Sequence, residues 1–298
     1  MKLVTFEVDG RQEVGVLQGE RIVSLSQAQL QSAAPNALST HQPMVDLIAH
    51  WAENKPWVEA VLAQRQPDWR LDQVHLLAPV PKPGKLLAIG LNYLEHVQEQ
   101  IVGETRDVPQ HQIWFTKLGH AINGPYDPIV LPAVSQATDY EGEMVAIIGQ
   151  RCKHVPRERA HEVVFGYCVG NDVSVRDWQK RTPQWTLGKS FDTHAPFGPC
   201  ITTADEVGDP HALDLRCWVN GELRQSSNTR LMIFNLWDQI AHLSQAMTLE
   251  PGDVIYTGTC SGVGAAFNPP KFLREGDVVR VEIDKLGHIE SRCVQEQV

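Results

Sequence analysis

The stretch from Asp139 to Gly149 (DYEGEMVAIIG) constrains this chain more than any other. Met144 to Ile148 is a short apolar run closed by Gly149, the pattern of a buried β-strand. Side chains alternate along a strand, so Asp139, Glu141 and Glu143 fall on one face. Three carboxylates side by side repel one another, and in a half-buried strand they are costly without a cation. The face is either a metal site or a solvated strand edge.

The charge balance narrows the partners. A net charge of -10 over 298 residues argues against nucleic acid and against an anionic membrane surface. An anionic substrate would need a local cation, either a metal or a lysine. No stretch has the length and apolarity of a transmembrane helix, and the N-terminus lacks a signal-peptide pattern. Cys152, Cys168, Cys200, Cys217, Cys260 and Cys293 are scattered, with no C-x-x-C. Reduced thiols and a cytoplasmic location are the expectation.

Residues 1 to about 30 predict a small antiparallel sheet. Val4, Phe6 and Val8 alternate with polar residues, and Asp9-Gly10 marks a hairpin turn. Met44, Leu47, Ile48 and Trp51 recur at helical spacing. Pro79, Pro81, Pro83 and Gly84 exclude regular structure and place a boundary near residue 78. Residues 1–78 read as a small N-terminal accessory domain and 79–298 as the catalytic domain. At 42% hydrophobic, a chain of this length supports a sizeable core.

Beyond the boundary, Lys85 to Gly90 reads as a buried strand, followed by a short helix from Leu94 to about Ile101. His96 and Glu99 share one face of that helix, as a general base with its carboxylate or as a plain surface pair. The polar residues 102–112 predict a mobile loop or lid. Asp172 follows the apolar run Phe165 to Gly170. It is either a fixed ligand or an Asx turn or cap for residues 175–179. Gly188-Lys189-Ser190 is not a phosphate loop, because Arg181 and Thr182 stand where its first glycine would fall. Lys189, between apolar neighbours, is instead a candidate for a partly buried cation aimed at an anion. Leu231 to Met247 predicts one amphipathic helix, and Thr257 to Gly264 a glycine-rich loop. Strands dominate and no regular βαβ alternation exists, so the fold class is mixed α/β, predominantly β, and neither Rossmann nor barrel.

Taken in order, Gly90-Leu91-Asn92-Tyr93-x-x-His96-x-x-Glu99, Asp139-Tyr140-Glu141-x-Glu143, Asn171-Asp172-Val173-Ser174-x-Arg176-Asp177-Trp178-Gln179, Gly188-Lys189-Ser190-Phe191-Asp192 and Thr257-Gly258-Thr259-x-Ser261-Gly262-Val263-Gly264 resemble the fumarylacetoacetate hydrolase family. The resemblance covers roughly residues 80 to 295. It implies a β-roll catalytic domain with a small N-terminal domain, usually in a homodimer, acting on small 1,3-dicarbonyl and 2-oxo acids with Mg²⁺, Mn²⁺ or Ca²⁺. By that resemblance Glu141, Glu143 and Asp172 are the metal ligands, His96 and Glu99 the water-activating pair, and Lys189 the oxyanion-stabilising lysine. Tyr93, Gln179 and Thr259 are the substrate-binding candidates. Cys260 departs from the pattern, standing where proline is frequent.

An all-oxygen ligand set suits a hard divalent ion. A 2-oxo acid can chelate such an ion through its carboxylate and keto oxygen. The expected reaction is hydrolysis of a C–C bond in an acylpyruvate-like 2,4-diketo acid. The alternatives are decarboxylation of oxaloacetate or isomerisation of a 2-hydroxy-diene-dioate on the same metal site. Cys260 as a nucleophile and a non-catalytic metal-stabilised protein are two further readings.

Overall fold

The alternating N-terminal residues form three antiparallel strands, Lys2–Val8, Arg11–Gln18 and Arg21–Ser24, in a computed structural model that describes residues 1–99 and 107–297. Asp9 and Gly10, at φ 49° and 71°, make the left-handed turn between the first two. Helices Leu25–Gln31, Pro43–Ala49 and Trp51–Gln64 follow. The proline-rich break does not interrupt the sheet. Lys2 and Leu3 pair with Thr202 and Ile201 of strand Ala195–Thr203, so the N-terminal strands extend the main sheet. Leu3, Leu47 and Val58 share one apolar core with Val145, Ile147 and Phe165.

Strand Gly142–Ile148 lies at the centre of that sheet, buried along its whole length. It pairs antiparallel with Val164–Asn171 on one side and Val254–Tyr256 on the other. Val254–Tyr256 runs parallel to Leu86–Gly90, which pairs with Ile113–Thr116. A second sheet orders Glu222–Asn228, Asp214–Val219, Val278–Ile283, Gly287–Gln295 and Ile129–Leu131. Met144, Ala146 and Ile148 pack with Cys217, Val281 and Ile283 of this second sheet. Val145 and Ile147 face the N-terminal core. A strand covered on both faces explains the unbroken apolar run. Strand outweighs helix, and the fold is mixed α/β, predominantly β.

Two expectations change, and part of a third lies outside the described residues. The carboxylate strand is not continuous: Thr138–Asp139 pairs with Ser174–Val175, and the main strand begins only at Gly142. Asp139 therefore leaves the face shared by Glu141 and Glu143. The helix expected from Leu231 starts at Leu236, because Asn235 caps it by accepting from the amides of Trp237 and Asp238. The preceding residues are tied to Asn92, whose carbonyl accepts from Ile233 N at 2.7 Å. The His96 helix is Leu94–Gln98; its expected end at Ile101, and residues 102–106 of the expected lid, lie outside the described residues.

Candidate active site

Register brings the acids together. Gly142 pairs with Asn171 and Glu143 with Gly170, so Asp172 emerges beside the start of the central strand. Its amide donates to Glu141 O at 2.8 Å, and Asn171 Oδ1 accepts from Glu141 N at 2.9 Å. Glu141, Glu143 and Asp172 each offer one oxygen, all within 4.8 Å of one another, and all three are buried.

Three cations surround them. Lys189 Nζ lies 2.8 Å from Glu141 Oε2 and 2.6 Å from Asp172 Oδ2. Lys117 Nζ donates to Asp172 Oδ1 at 2.6 Å and to Val173 O at 3.0 Å. Arg176 spans Asp139 (2.8 Å) and Glu141 (2.6 Å). Burial opposes the Lys189 charge, but Asp172 and Glu141 outweigh it and raise the lysine above its usual range. Glu141 is held well below the carboxylate range: burial works against its ionisation, and Arg176 and Lys189 more than compensate. Glu143 goes the other way. Burial, then the charges of Asp172 and Glu141, push it well above the usual range. Among the described residues its one donor is Gly258 N at 2.7 Å, offered by a residue at φ 97°, a conformation that only glycine adopts comfortably.

Among the described residues the buried group therefore holds four carboxylates, counting Asp139, against three cations. A divalent cation fits this set on two counts: every donor atom is a carboxylate oxygen, and Glu143 lacks a cation of its own among the described contacts. Glu141, Glu143 and Asp172 are the residues that would hold it.

A cavity of about 330 Å³ opens beside this group, lined by His96, Glu141, Arg176, Gln179, Lys189 and Thr259 among others. His96 is buried, and its Nδ1 lies 2.7 Å from Glu99 Oε2. The other Glu99 oxygen accepts from Gly262 N. The pair is thus no surface ornament but a clamped dyad at the cavity wall. Thr259 Oγ1 donates to Gly142 O and accepts from Gln225, both at 2.9 Å, which fixes the glycine loop against the central strand. Tyr93 stands apart: its ring is in the core, off the cavity wall, and its buried hydroxyl has no partner among the described residues. Asp139 accepts from Arg176 and from the amides of Gly264 and Ala265, and holds the far end of the glycine loop. Cys260 is buried, and burial pushes its thiol up to about 12, so no thiolate nucleophile forms near neutrality.

Sequence reasoning gave no role to Lys117 or Arg176. Lys117 directly follows the apolar strand Ile113–Thr116, and Arg176 stands inside the Asn171–Gln179 motif. Those positions were the available signals.

The chain resembles known proteins in sequence and in fold. The fumarylacetoacetate (FAA) hydrolase C-terminal family model matches residues 85–294. The mitochondrial oxaloacetate tautomerase of Rattus norvegicus is 47% identical over 234 residues, 78% of this chain and 74% of the relative. The crystal structure of maleylpyruvate hydrolase from Sphingobium sp. SYK-6, in complex with manganese(II) and pyruvate, is 36% identical. It superposes with a TM-score of 0.82 and full coverage of both chains. A 2-hydroxyhepta-2,4-diene-1,7-dioate isomerase from Mycobacterium marinum is 30% identical, with a TM-score of 0.75 and full coverage of both chains. The mitochondrial relatives overturn the cytoplasmic expectation. Scattered cysteines without a paired pattern do not separate one reducing compartment from another. This chain belongs to the fumarylacetoacetate hydrolase family.

Proposed function

We propose that the protein is a metal-dependent enzyme that enolises a small 2-oxo acid, with keto–enol interconversion of oxaloacetate or a close relative as its reaction. The observation that carries this reading is the convergence of His96, Lys189 and Glu141 on one small cavity. The likeness to an oxaloacetate tautomerase supports the choice of reaction. A divalent ion held by Glu141, Glu143 and Asp172 would supply Lewis-acid polarisation of the 2-oxo group.

The chain's own residues do the rest. Glu99 accepts the Nδ1 proton of His96, which leaves Nε2 of the neutral ring as a free base. That nitrogen takes a proton from the carbon next to the carbonyl and gives it to the enolate oxygen, and in the reverse direction it moves the hydroxyl proton back to carbon. Lys189, kept charged by its two carboxylates, faces the oxygen on which negative charge grows. Arg176 Nη2 is buried without a partner among the described residues, and Arg176 lines the cavity beside Gln179, so it offers a ready donor to the acid's carboxylate. Thr259 and Gly258 set the glycine loop that closes one side.

Hydrolysis of a 2,4-diketo acid is the second reading, supported by the likeness to maleylpyruvate hydrolase over the whole chain. The same Nε2 would then take its proton from water rather than from carbon. The test is the decay of enol-oxaloacetate absorbance, read with EDTA-treated protein and after Mg²⁺ or Mn²⁺ is restored, beside a panel of acylpyruvates. Metal-dependent acceleration with oxaloacetate supports tautomerisation. Cleavage of acylpyruvates without it shifts the assignment to hydrolysis. Inertness toward all of them with metal bound overturns the reading.

A further inference from the structure

The cavity has two unlike walls. His96, Glu141 and Lys189 make the reactive one, while Ile89, Leu91 and Trp185 make an apolar one. Trp185 directly precedes helix Thr186–Lys189, and its carbonyl accepts from Lys189 N at 3.1 Å. The indole and the reactive ammonium therefore belong to one short turn. On one side the indole lies against the strand Leu86–Gly90. A Cβ added to Gly90 would stand 2.3 Å from Trp185 Cζ3 and 2.8 Å from Cη2, so the ring rests where only glycine leaves room. On another side it meets Phe115 edge-on, with centroids 5.6 Å apart. Phe115 in turn carries the Lys189 ammonium 4.8 Å from its centroid. Gly90, Phe115 and the backbone of the turn thus hold the indole in one place. The indole takes no part in the proton transfer.

A volume of about 330 Å³ is near the lower limit for small-molecule sites, and the head of a 2-oxo acid takes part of it. We infer that Trp185 is a specificity-determining residue: its fixed indole caps the bulk of the substrate tail and restricts the site to short, unbranched 2-oxo acids. This rests on the 2-oxo acid reading above. Packing and size exclusion act together here, because a ring held against Gly90 and Phe115 rejects a bulky tail by overlap, which is read as lost affinity for that tail.

The test uses the full chain loaded with Mg²⁺, and compares pyruvate, oxaloacetate and phenylpyruvate binding by calorimetry in wild type, Trp185→Ala and Trp185→Phe. Wild type should bind the two small acids and discriminate against phenylpyruvate. Trp185→Ala should shift the phenylpyruvate-to-pyruvate affinity ratio by about tenfold or more, the scale of a pocket opened by several carbons. Trp185→Phe should shift it less, in the same direction, and it decides the matter if the alanine variant does not fold. An unchanged ratio in the folded variants overturns the role of Trp185 while leaving the 2-oxo acid reading standing. Failure of wild type to bind any of the three acids overturns that reading and this inference with it.

Discussion

At the residue scale, the work is divided between a base and a charge cluster. His96→Ala should lower kcat by about a hundredfold or more, the usual scale for a lost general base, and leave metal affinity nearly unchanged. Glu141→Ala should lose metal affinity and activity together, since it removes an oxygen from the acidic group and leaves Lys189 and Arg176 short of a partner. Paired kinetics and metal calorimetry separate the two outcomes; a collapse of metal affinity in His96→Ala would make the imidazole a ligand. Thiol reagents at neutral pH should leave activity intact, because Cys260 is buried and its thiol stays protonated. Rapid inactivation by iodoacetamide, prevented by substrate, would contradict that. Much of this site was legible because the informative residue types sit in short ordered motifs. Lys117 was not legible: it meets Asp172 across 55 residues, and only sheet register brings them together. Asp139 was misjudged for a related reason. Strand periodicity assumes an unbroken strand, and the break at Tyr140 and Glu141 sends it to Arg176 and the glycine loop.

At the element scale, short segments are positioned by side-chain bonds to distant backbone. The helix Leu94–Gln98 leans on the glycine loop through Glu99 to Gly262 and through Ser261 Oγ to Glu95 at 3.2 Å. The helix Leu236–Ala246 depends on its Asn235 cap, with Asp238 returning a bond to Asn235 N at 3.2 Å. Asn235→Ala should cost about 1 kcal/mol or somewhat more of stability, the usual value of an N-cap, with metal affinity unchanged. Chemical denaturation and calorimetry check both halves, and an unaltered midpoint would show the cap to be idle. Apolar spacing located this helix but misplaced its start, since Ile233 sits in phase with the stripe while its amide bonds to Asn92 instead.

At the scale of the whole molecule, one buried histidine ties folding to pH. His194 Nε2 donates to Val130 O at 2.9 Å, while Nδ1 is buried without a partner among the described residues. Burial lowers its pKa to about 3, with Lys117 adding to the effect and the Val130 bond opposing it. The unfolded chain takes up this proton below about pH 6.5 and the native state does not, so stability falls as pH drops from 6.5 toward 3. By pH 5 the loss should reach about 2 kcal/mol, and His194→Gln should lack it. Urea midpoints at pH 7 and pH 5 decide, and equal losses in both proteins would clear His194 of the effect. Residues 1–78 are proposed as an accessory unit, although their strands and core run on into the main sheet. A homodimer is likewise proposed, and sedimentation giving a stable monomer at assay concentration would refute it.

The central claim is that this site moves a proton at the carbon beside a 2-oxo group. The most direct measurement is exchange of the methyl protons of pyruvate for deuterium in D₂O, followed by proton NMR with Mg²⁺- or Mn²⁺-loaded protein. The account predicts exchange that needs the metal and that falls by about a hundredfold or more in His96→Ala. No exchange above the metal-only control, or exchange undiminished in His96→Ala, would contradict it.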